Sequence, residues 1–148
     1  TPEEATDLGS FLAKACHDPE RVVIGLSELL INAVEHGNLE ISYEEKSELM
    51  RSGRWTEEIR RRLETERFAR RVATARFERD RGRMRIVIRD EGPGFDPSPY
   101  LQIDPGRVFD SHGRGIAIAN LLSFDEIQYL DGGREVVATV SCSDRAKG

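Results

Sequence analysis

Cysteine is scarce in this sequence of 148 residues, and its two cysteines form no recognisable motif. Cys16 and Cys142 lie in different predicted elements, without the C-x-x-C spacing of zinc and redox sites. A disulfide framework is therefore excluded, and we expect a protein of a reducing, cytoplasmic compartment.

Long apolar runs are missing as well. The most apolar stretches, residues 22–26 and 29–31, are interrupted by Ser27, Glu28 and Asn32, far short of the roughly 20 apolar residues that span a bilayer. We therefore expect neither a membrane-spanning segment nor a membrane partner. A signal-like run is absent too, and the sequence begins at Thr1, so we expect it to be excised from a longer chain.

Aromatic residues make up only 7% of the sequence, but apolar residues reach 38% and charged residues 33%. This balance separates the chain from disordered proteins, which bury too little apolar surface to fold. The length suits one modest core, so we expect a single domain over residues 1–148.

The net charge of −5 is unevenly distributed along the chain. Residues 51–89 hold 14 arginines and 6 acidic residues, a local charge of +8, whereas the remainder holds 8 basic and 21 acidic residues, a local charge of −13. Such a basic stretch is either a surface that attracts an acidic partner or a solvated helix with internal ion pairs. Internal pairing is the simpler interpretation, and both stay open here.

Helix-start signals, in which a capping side chain precedes proline or acidic residues, recur four times in the first half of the chain. Ser42 and Glu45 have the spacing of a capping box. Gly37 is placed to end the second helix in a left-handed conformation, and Gly53 to end the third. The predicted helices span residues 2–16, 19–36, 42–53 and 56–70.

Alternation of apolar and polar residues predicts two β-hairpins, within residues 72–89 and 126–141. A loop rich in proline and glycine over residues 90–112 and a helix over 116–124 are predicted between them. Helices followed by antiparallel hairpins predict an α+β fold. We expect a two-layer α/β sandwich, with helices packed on one face of a mixed, mostly antiparallel sheet.

The second predicted helix is apolar almost all round, apart from one narrow polar stripe. At about 100° per residue the stripe contains Gly25, Glu28, Asn32, Glu35 and His36. Because unpaired polar groups in a core cost about 1 to 3 kcal/mol each, the stripe must face water or a polar cavity. The absent side chain of Gly25 leaves room for another group to approach closely.

The first hairpin is followed by the sequence Asp90-Glu-Gly92-Pro-Gly94-Phe95. A carboxylate at a strand end is held in place by the sheet, and the glycines leave the backbone open to a flat ligand. Taken alone, the same pattern also suits an ordinary turn, with the aspartate as a local hydrogen-bond acceptor.

A glycine-rich segment, His-Gly-Arg-Gly-Ile at residues 112–116, leads into the predicted helix at 116–124. Free backbone amides at a helix start form an anion site suited to phosphates. The same glycine pattern is also typical of a helix start that is merely flexible. The segment is not a Walker loop, because no Gly-Lys-Ser/Thr follows it.

Taken in order, these three motifs resemble the GHKL ATP-binding superfamily, the class of gyrase, Hsp90, histidine kinases and MutL. The resemblance covers residues 18–140. The second predicted helix is most similar to that of the bacterial anti-sigma-factor serine/threonine kinases. The similarity lies in its sequence from Glu28 to Gly37, Glu-Leu-Leu-Ile-Asn-Ala-Val-Glu-His-Gly. Histidine kinases usually carry Lys or Arg three places after the Asn, where this chain has Glu35.

The resemblance implies a Bergerat-type ATP-binding fold and a kinase that transfers the γ-phosphoryl group of ATP to a regulatory partner, an anti-sigma antagonist or sigma-factor-like protein of bacterial signalling. It implies that Asn32 binds Mg²⁺, that Asp90 binds adenine, and that Glu28 is the catalytic base. The other implied ATP-binding residues are His36, Gly92, Gly94, Phe95, His112, Gly113, Arg114, Gly115 and Ile116.

Two features depart from the anti-sigma pattern. Residues 39–71 insert helices where those kinases have a short connection, and no strand precedes the first helix. The insert suggests a partner surface, or docking onto another domain. Three alternatives stay open: a non-catalytic ATP-binding module that sequesters a partner, a histidine kinase catalytic domain, and a basic nucleic-acid or scaffold protein. Nucleic acid is the least favoured partner, and a homodimer is compatible with all of these.

Overall fold

The computed structural model describes residues 1–101 and 122–141, with five helices leading into the first of two β-hairpins. The helices are α1 (Pro2–Ala13), α2 (Pro19–Asn32), α3 (Tyr43–Arg51), α4 (Trp55–Glu64) and α5 (Glu66–Ala69). The strands are β1 (Thr74–Asp80), β2 (Arg83–Arg89), β3 (Glu126–Leu130) and β4 (Glu135–Ser141). A π-helical turn, Ala33–Asn38, extends α2, and 3-10 turns cover Ser98–Tyr100 and Asp131–Gly133.

The four described strands form one sheet in the order β1-β2-β4-β3, and each of its neighbouring pairs is antiparallel. Both predicted hairpins are therefore confirmed, as is the α+β class. Core residues alternate along β2 and β4, although Val87 and Val137, which pair on the opposite face, are buried as well. The side chains of β2 and β4 that enter the core face each other in register: Met84 and Val140, Ile86 and Ala138, Ile88 and Val136.

Helix α2 packs on the core face of this sheet and against α1. Val22, Leu26 and Leu29 are each at most 1% exposed, so the apolar sides of α2 are buried as predicted. Gly9 of α1 allows close packing, because a Cβ there would lie 2.8 Å from Oγ of Ser27. This packing fixes the axis of the helix that carries the polar stripe.

The helix starts agree with their capping signals. The side chain of Thr1 accepts from the amide of Glu4, and that of Asp18 from the amide of Arg21. Ser42 accepts from the amide of Glu45 at 3.0 Å, which is half of the predicted box.

Two predictions about the helices were wrong, one about where a helix ends and one about the continuity of a helix. Gly37 is not a left-handed stop, since it lies inside the π-helical turn and the positive φ, 55°, falls on Glu40. The single helix expected over residues 56–70 is broken at Thr65, whose extended backbone separates α4 from α5. The predicted helix over 116–124 lies mostly outside the described residues. No helix in the described ranges is long and apolar enough to cross a membrane.

The space beside Gly25 is filled by the chain itself. The amide of Gly25 donates to Oγ of Ser123 at 2.9 Å, and a Cβ on Gly25 would lie 2.3 Å from Cβ of Ser123. The predicted close approach to Gly25 is therefore made by Ser123 of the chain itself, and Gly25 serves packing.

Candidate functional site

A cavity of about 590 Å³ opens at the end of α2, a size suited to a small-molecule ligand. Its walls come from the π-helical turn, the start of α3, the loop after β2 and the β3–β4 turn. The predicted site residues that line it are Asn32, His36, Asp90, Gly94 and Phe95. The structure thus brings together two motifs that are far apart in the sequence. Lining residues that were not predicted include Tyr43, Tyr129 and Arg134.

Asn32, the last residue of α2, carries an unsatisfied amide. Its Nδ2 is the one buried side-chain nitrogen or oxygen without a hydrogen-bond partner among the residues that the structure describes. Buried polar groups are nearly always paired, because an unpaired one costs about 1 to 3 kcal/mol. An amide in this state, on a cavity wall, is suited to bind a polar ligand.

Asp90 lies directly after β2 and is only 8% exposed. Its Oδ1 accepts from the amide of Gly92 at 2.8 Å, and its own amide donates to the carbonyl of Arg134 at 3.0 Å. Within residues 1–101 and 122–141, Oδ2 accepts no hydrogen bond. Burial raises the pKa of Asp90 from its ordinary value. One carboxylate oxygen is thus held by the protein, and the other is left as an acceptor.

The loop after β2 packs closely against the π-helical turn because two glycines lie at the contact. A Cβ on Gly37 would lie 2.3 Å from Cγ of Asp90, and a Cβ on Gly92 would lie 2.2 Å from the carbonyl oxygen of Gly37. We call the mutual approach of Gly37, Asp90 and Gly92 the glycine contact. Gly92 does not line the cavity wall itself, but the glycine contact places the Asp90 carboxylate there.

Asn38 joins the same two elements and was not predicted. It is 5% exposed, and its Oδ1 accepts from the amide of Glu91 at 2.8 Å. The Glu91 carboxylate in turn accepts from the amide of Val72 at 2.8 Å. An asparagine after His-Gly suggests only a helix end, so nothing local in the sequence reveals this bond.

The second hairpin supports the loop from the other side. The amide of Phe95 donates to the carbonyl of Gly132 at 2.9 Å, and the Phe95 ring meets Tyr129 edge-on at 5.4 Å. Burial, and then the charge of Asp90, raise the pKa of Tyr129, so its phenol stays protonated. Phe95 and Tyr129 thus give the cavity an aromatic wall beside Asp90.

His36 faces the cavity from the π-helical turn. Its Nδ1 is hydrogen-bonded to the carbonyl of Ile41, and its ring packs on that of Tyr43 with centroids 3.9 Å apart. Burial lowers the pKa of His36 to about 4, so the imidazole is neutral near pH 7. Because a carbonyl can only accept, Nδ1 carries the hydrogen and Nε2 carries the lone pair.

Glu35, the next residue of the predicted stripe, turns away from the cavity. It is 4% exposed and forms an ion pair with Lys46 of α3, whose ammonium lies 5.0 Å from the Trp55 ring centroid. Burial raises the pKa of Glu35, and the hydrogen bond from Lys46 opposes that shift. Glu35 therefore serves to dock α3.

Some predicted residues are not placed at this cavity. Glu28 is half-buried on α2 and is not among the lining residues of the described part. His112, Gly113, Arg114, Gly115 and Ile116 lie outside the described residues.

The described residues contain no group of three or more His, Cys, Asp or Glu side chains that could hold a metal ion. An all-carboxylate cage is therefore not present in that part of the chain. Mg²⁺ keeps several waters and uses one or two protein ligands together with phosphate oxygens. The amide oxygen Oδ1 of Asn32 is the atom that suits that limited role, while the unsatisfied Nδ2 is a donor suited to a phosphate oxygen.

The family model of the histidine kinase-like ATPase domain matches residues 4–140. The match covers most of the chain, so the protein belongs to this family and is an ATP-binding protein of the GHKL type. Searches of curated proteins and of solved structures found no match. The predicted superfamily is confirmed, and the finer likeness to anti-sigma kinases stays a prediction.

Proposed function

We propose that this chain is an ATP-dependent protein serine/threonine kinase of the anti-sigma type, which phosphorylates a regulatory protein partner. The observation that carries the proposal is the pairing, on one cavity, of a buried carboxylate with an open oxygen at Asp90 and an unsatisfied amide at Asn32. An adenine amino group and a metal–phosphate group are the complementary parts of ATP.

The residues of the cavity take distinct roles in this proposal. Asp90 accepts from the adenine amino group, while Gly92 and Gly94 leave room for the base and Phe95 packs beside it. Asn32 would hold Mg²⁺ through its amide oxygen, and the ion would supply the positive charge that neutralises the phosphates. The phosphate-binding backbone is assigned to residues 112–116.

Phosphoryl transfer needs a hydroxyl of the partner to be positioned in line with the γ-phosphorus. An oxygen–phosphorus bond forms to the hydroxyl, the bond to the β-phosphate oxygen breaks, and ADP leaves. Glu28 lies one helical turn before Asn32, on the same side of α2, and accepts the hydroxyl proton. Its half-buried position leaves it accessible to a partner.

Calorimetric titration of ATP and ADP, with and without Mg²⁺, tests the part of the proposal that concerns nucleotide binding. Asp90→Asn should lose nucleotide affinity at least about tenfold, because the amide would turn a donor toward the adenine amino group. Asp80→Asn, in the exposed β1–β2 turn, is the matched control. Equal affinity in wild type and Asp90→Asn would remove adenine recognition from Asp90.

The metal role of Asn32 has its own test. Asn32→Ala should weaken binding in the presence of Mg²⁺ more than in its absence. Equal losses in the two titrations would contradict metal binding by Asn32.

A second candidate function is a non-catalytic ATP-binding module that sequesters its partner. One observation favours it, namely that Glu28 does not line the cavity of the described residues. Glu28→Gln separates the two functions, since a kinase would keep nucleotide affinity and lose transfer of labelled γ-phosphate to protein. Full transfer by the variant would remove Glu28 from catalysis, and a wild type that binds ATP without turnover would support the module.

A further inference from the structure

The inserted segment, residues 39–71, reaches the nucleotide cavity. Its first residues, 40–44, form one wall, opposite the loop that contains Phe95. The sequence suggested a partner surface or a docking element for this segment. Its position on the cavity gives it a part in the site itself.

The basic residues of the segment hold this wall against the domain. Arg71 donates to the carbonyl of Asn38 at 2.9 Å and to Glu40 at 2.7 Å, and Arg67 donates to Glu40 at 2.6 Å. Lys46 adds the ion pair to buried Glu35. Two of these contacts, Arg71 to Asn38 and Lys46 to Glu35, join the segment to the π-helical turn, and the two contacts with Glu40 brace the wall from within the segment.

Two residues of this wall, Ile41 and Tyr43, contact the imidazole ring of His36. The carbonyl of Ile41 accepts from Nδ1 of His36, and the Tyr43 ring packs on the imidazole at 3.9 Å with an interplanar angle of 35°. The first contact selects the tautomer, and the second restricts rotation of the ring. In the part of the chain that the structure describes, Nε2 of His36 has no hydrogen-bond partner.

We propose that the inserted segment is a working part of the nucleotide site, in which Ile41 and Tyr43 are positioning residues that hold the His36 ring in place on the wall where the base binds. The inference rests on the ATP binding proposed above and adds to it the role of the insert. The physical gain is preorganisation, because a ring that is already fixed loses little conformational entropy when the ligand binds.

The first test compares nucleotide affinity in three variants on α3. Tyr43→Ala should bind ATP and ADP about three- to tenfold more weakly, the range expected for loss of one aromatic pair. Tyr43→Phe keeps the ring and should stay within about twofold of wild type. Met50→Ala, an exposed position on the same helix, is the control for a general effect on α3.

The second test measures the tautomer of His36, which would not change if Tyr43 only stabilised the fold. Long-range ¹H–¹⁵N spectra of the imidazoles, assigned with His36→Asn, should show the Nδ1–H tautomer in wild type and in Tyr43→Phe, and a mixture in Tyr43→Ala. Addition of ADP to wild type should shift the His36 signals.

The outcomes are distinguishable. If wild type binds ADP while Tyr43→Ala binds equally well, or while the His36 signals stay unchanged, the positioning role is overturned and ATP binding stands. If wild type binds no nucleotide in the calorimeter, the proposed function is overturned and this inference falls with it.

Discussion

Helix α2 meets the loop after β2 and residues 39–71, the segment that the resemblance predicts to be an insert, in two different ways. Toward the loop, the glycine contact brings Gly92 against the backbone of Gly37 and Gly37 against the Asp90 carboxylate, with no room for one further carbon atom at either glycine. Toward the insert, α2 and its π-helical turn use ion pairs and long side chains, such as Lys46 on Glu35. The first interface is fixed by shape. The second combines buried apolar side chains, Leu39, Ile41, Leu49 and Ile59, with ion pairs, and its charged part can be adjusted by salt or pH.

Ion pairs and long side chains also connect the helices within the insert. Arg62 is the central residue, since it contacts Glu45 and Glu58 and donates to the carbonyl of Leu39 at 2.7 Å. The hydrogen bond from Arg61, with a smaller contribution from Arg62, lowers the pKa of Glu58 to about 2. This network supports the internal-pairing interpretation of the basic stretch.

The largest effect should come from breaking the glycine contact. We expect Gly92→Ala to destabilise the fold by about 3 kcal/mol and to abolish ATP binding, because the clashing atom is backbone and cannot move aside. Denaturant unfolding and calorimetry measure the two effects. Gly53→Ala, where a Cβ would meet open space at a φ of 70°, should lose only about 1 kcal/mol and keep affinity.

His36 lies where the two interfaces meet, and it makes stability depend on pH. Its folded pKa of about 4 is below the ordinary 6.5, so the unfolded chain binds more protons between these values. The stability that neutral His36 contributes is therefore present above about pH 6.5 and lost as the pH falls toward 4, by on the order of 2 kcal/mol. Urea unfolding of wild type and His36→Asn from pH 7 to 4 measures this. Parallel pH curves for the two proteins would contradict it.

The charged interface should be easier to loosen. Arg62→Met keeps most of the side-chain volume and removes both ion pairs, so we expect a loss of about 1.5 kcal/mol. Hydrogen exchange should accelerate within residues 39–71 and change little in β2 and β4. Equal acceleration in the sheet would show that the insert and the sheet unfold as one unit.

The smallest effect on stability is expected at an exposed ion pair of the insert, in contrast to the partly buried pairs of Arg62. Arg51 pairs with Glu48 on the surface of α3, and its side chain is 75% exposed. Arg51→Ala should change the free energy of unfolding by less than about 0.5 kcal/mol, because water and salt screen such a pair. A loss as large as that of Arg62→Met would mean that the surface charges act as one network.

The features that the sequence predicted correctly depend on local information. Capping at Thr1, Asp18 and Ser42 and the two hairpins follow from residues a few positions apart. Asn32 and Asp90 were found because each stands in a short motif, and the structure places both on one cavity.

The features that were missed depend on contacts between distant residues. Gly37 resembles a helix stop, but its missing side chain makes room for Asp90. Tyr43 and Tyr129 carry no local signal, because they become site residues only when α3 and the second hairpin dock at the cavity.

The bond between Asn38 and Glu91 joins residues 53 positions apart, and the whole insert lies between them. Closing so long a loop carries an entropic cost before the contact forms. We therefore expect the glycine contact beside this bond to form after the shorter-range contacts within residues 39–71. The cavity wall at Asp90 also needs the second hairpin, since the amide of Asp90 donates to the carbonyl of Arg134 and that of Phe95 to the carbonyl of Gly132. During synthesis this wall would be completed only after β3 and β4 have emerged, so nucleotide binding would report that the second hairpin has docked.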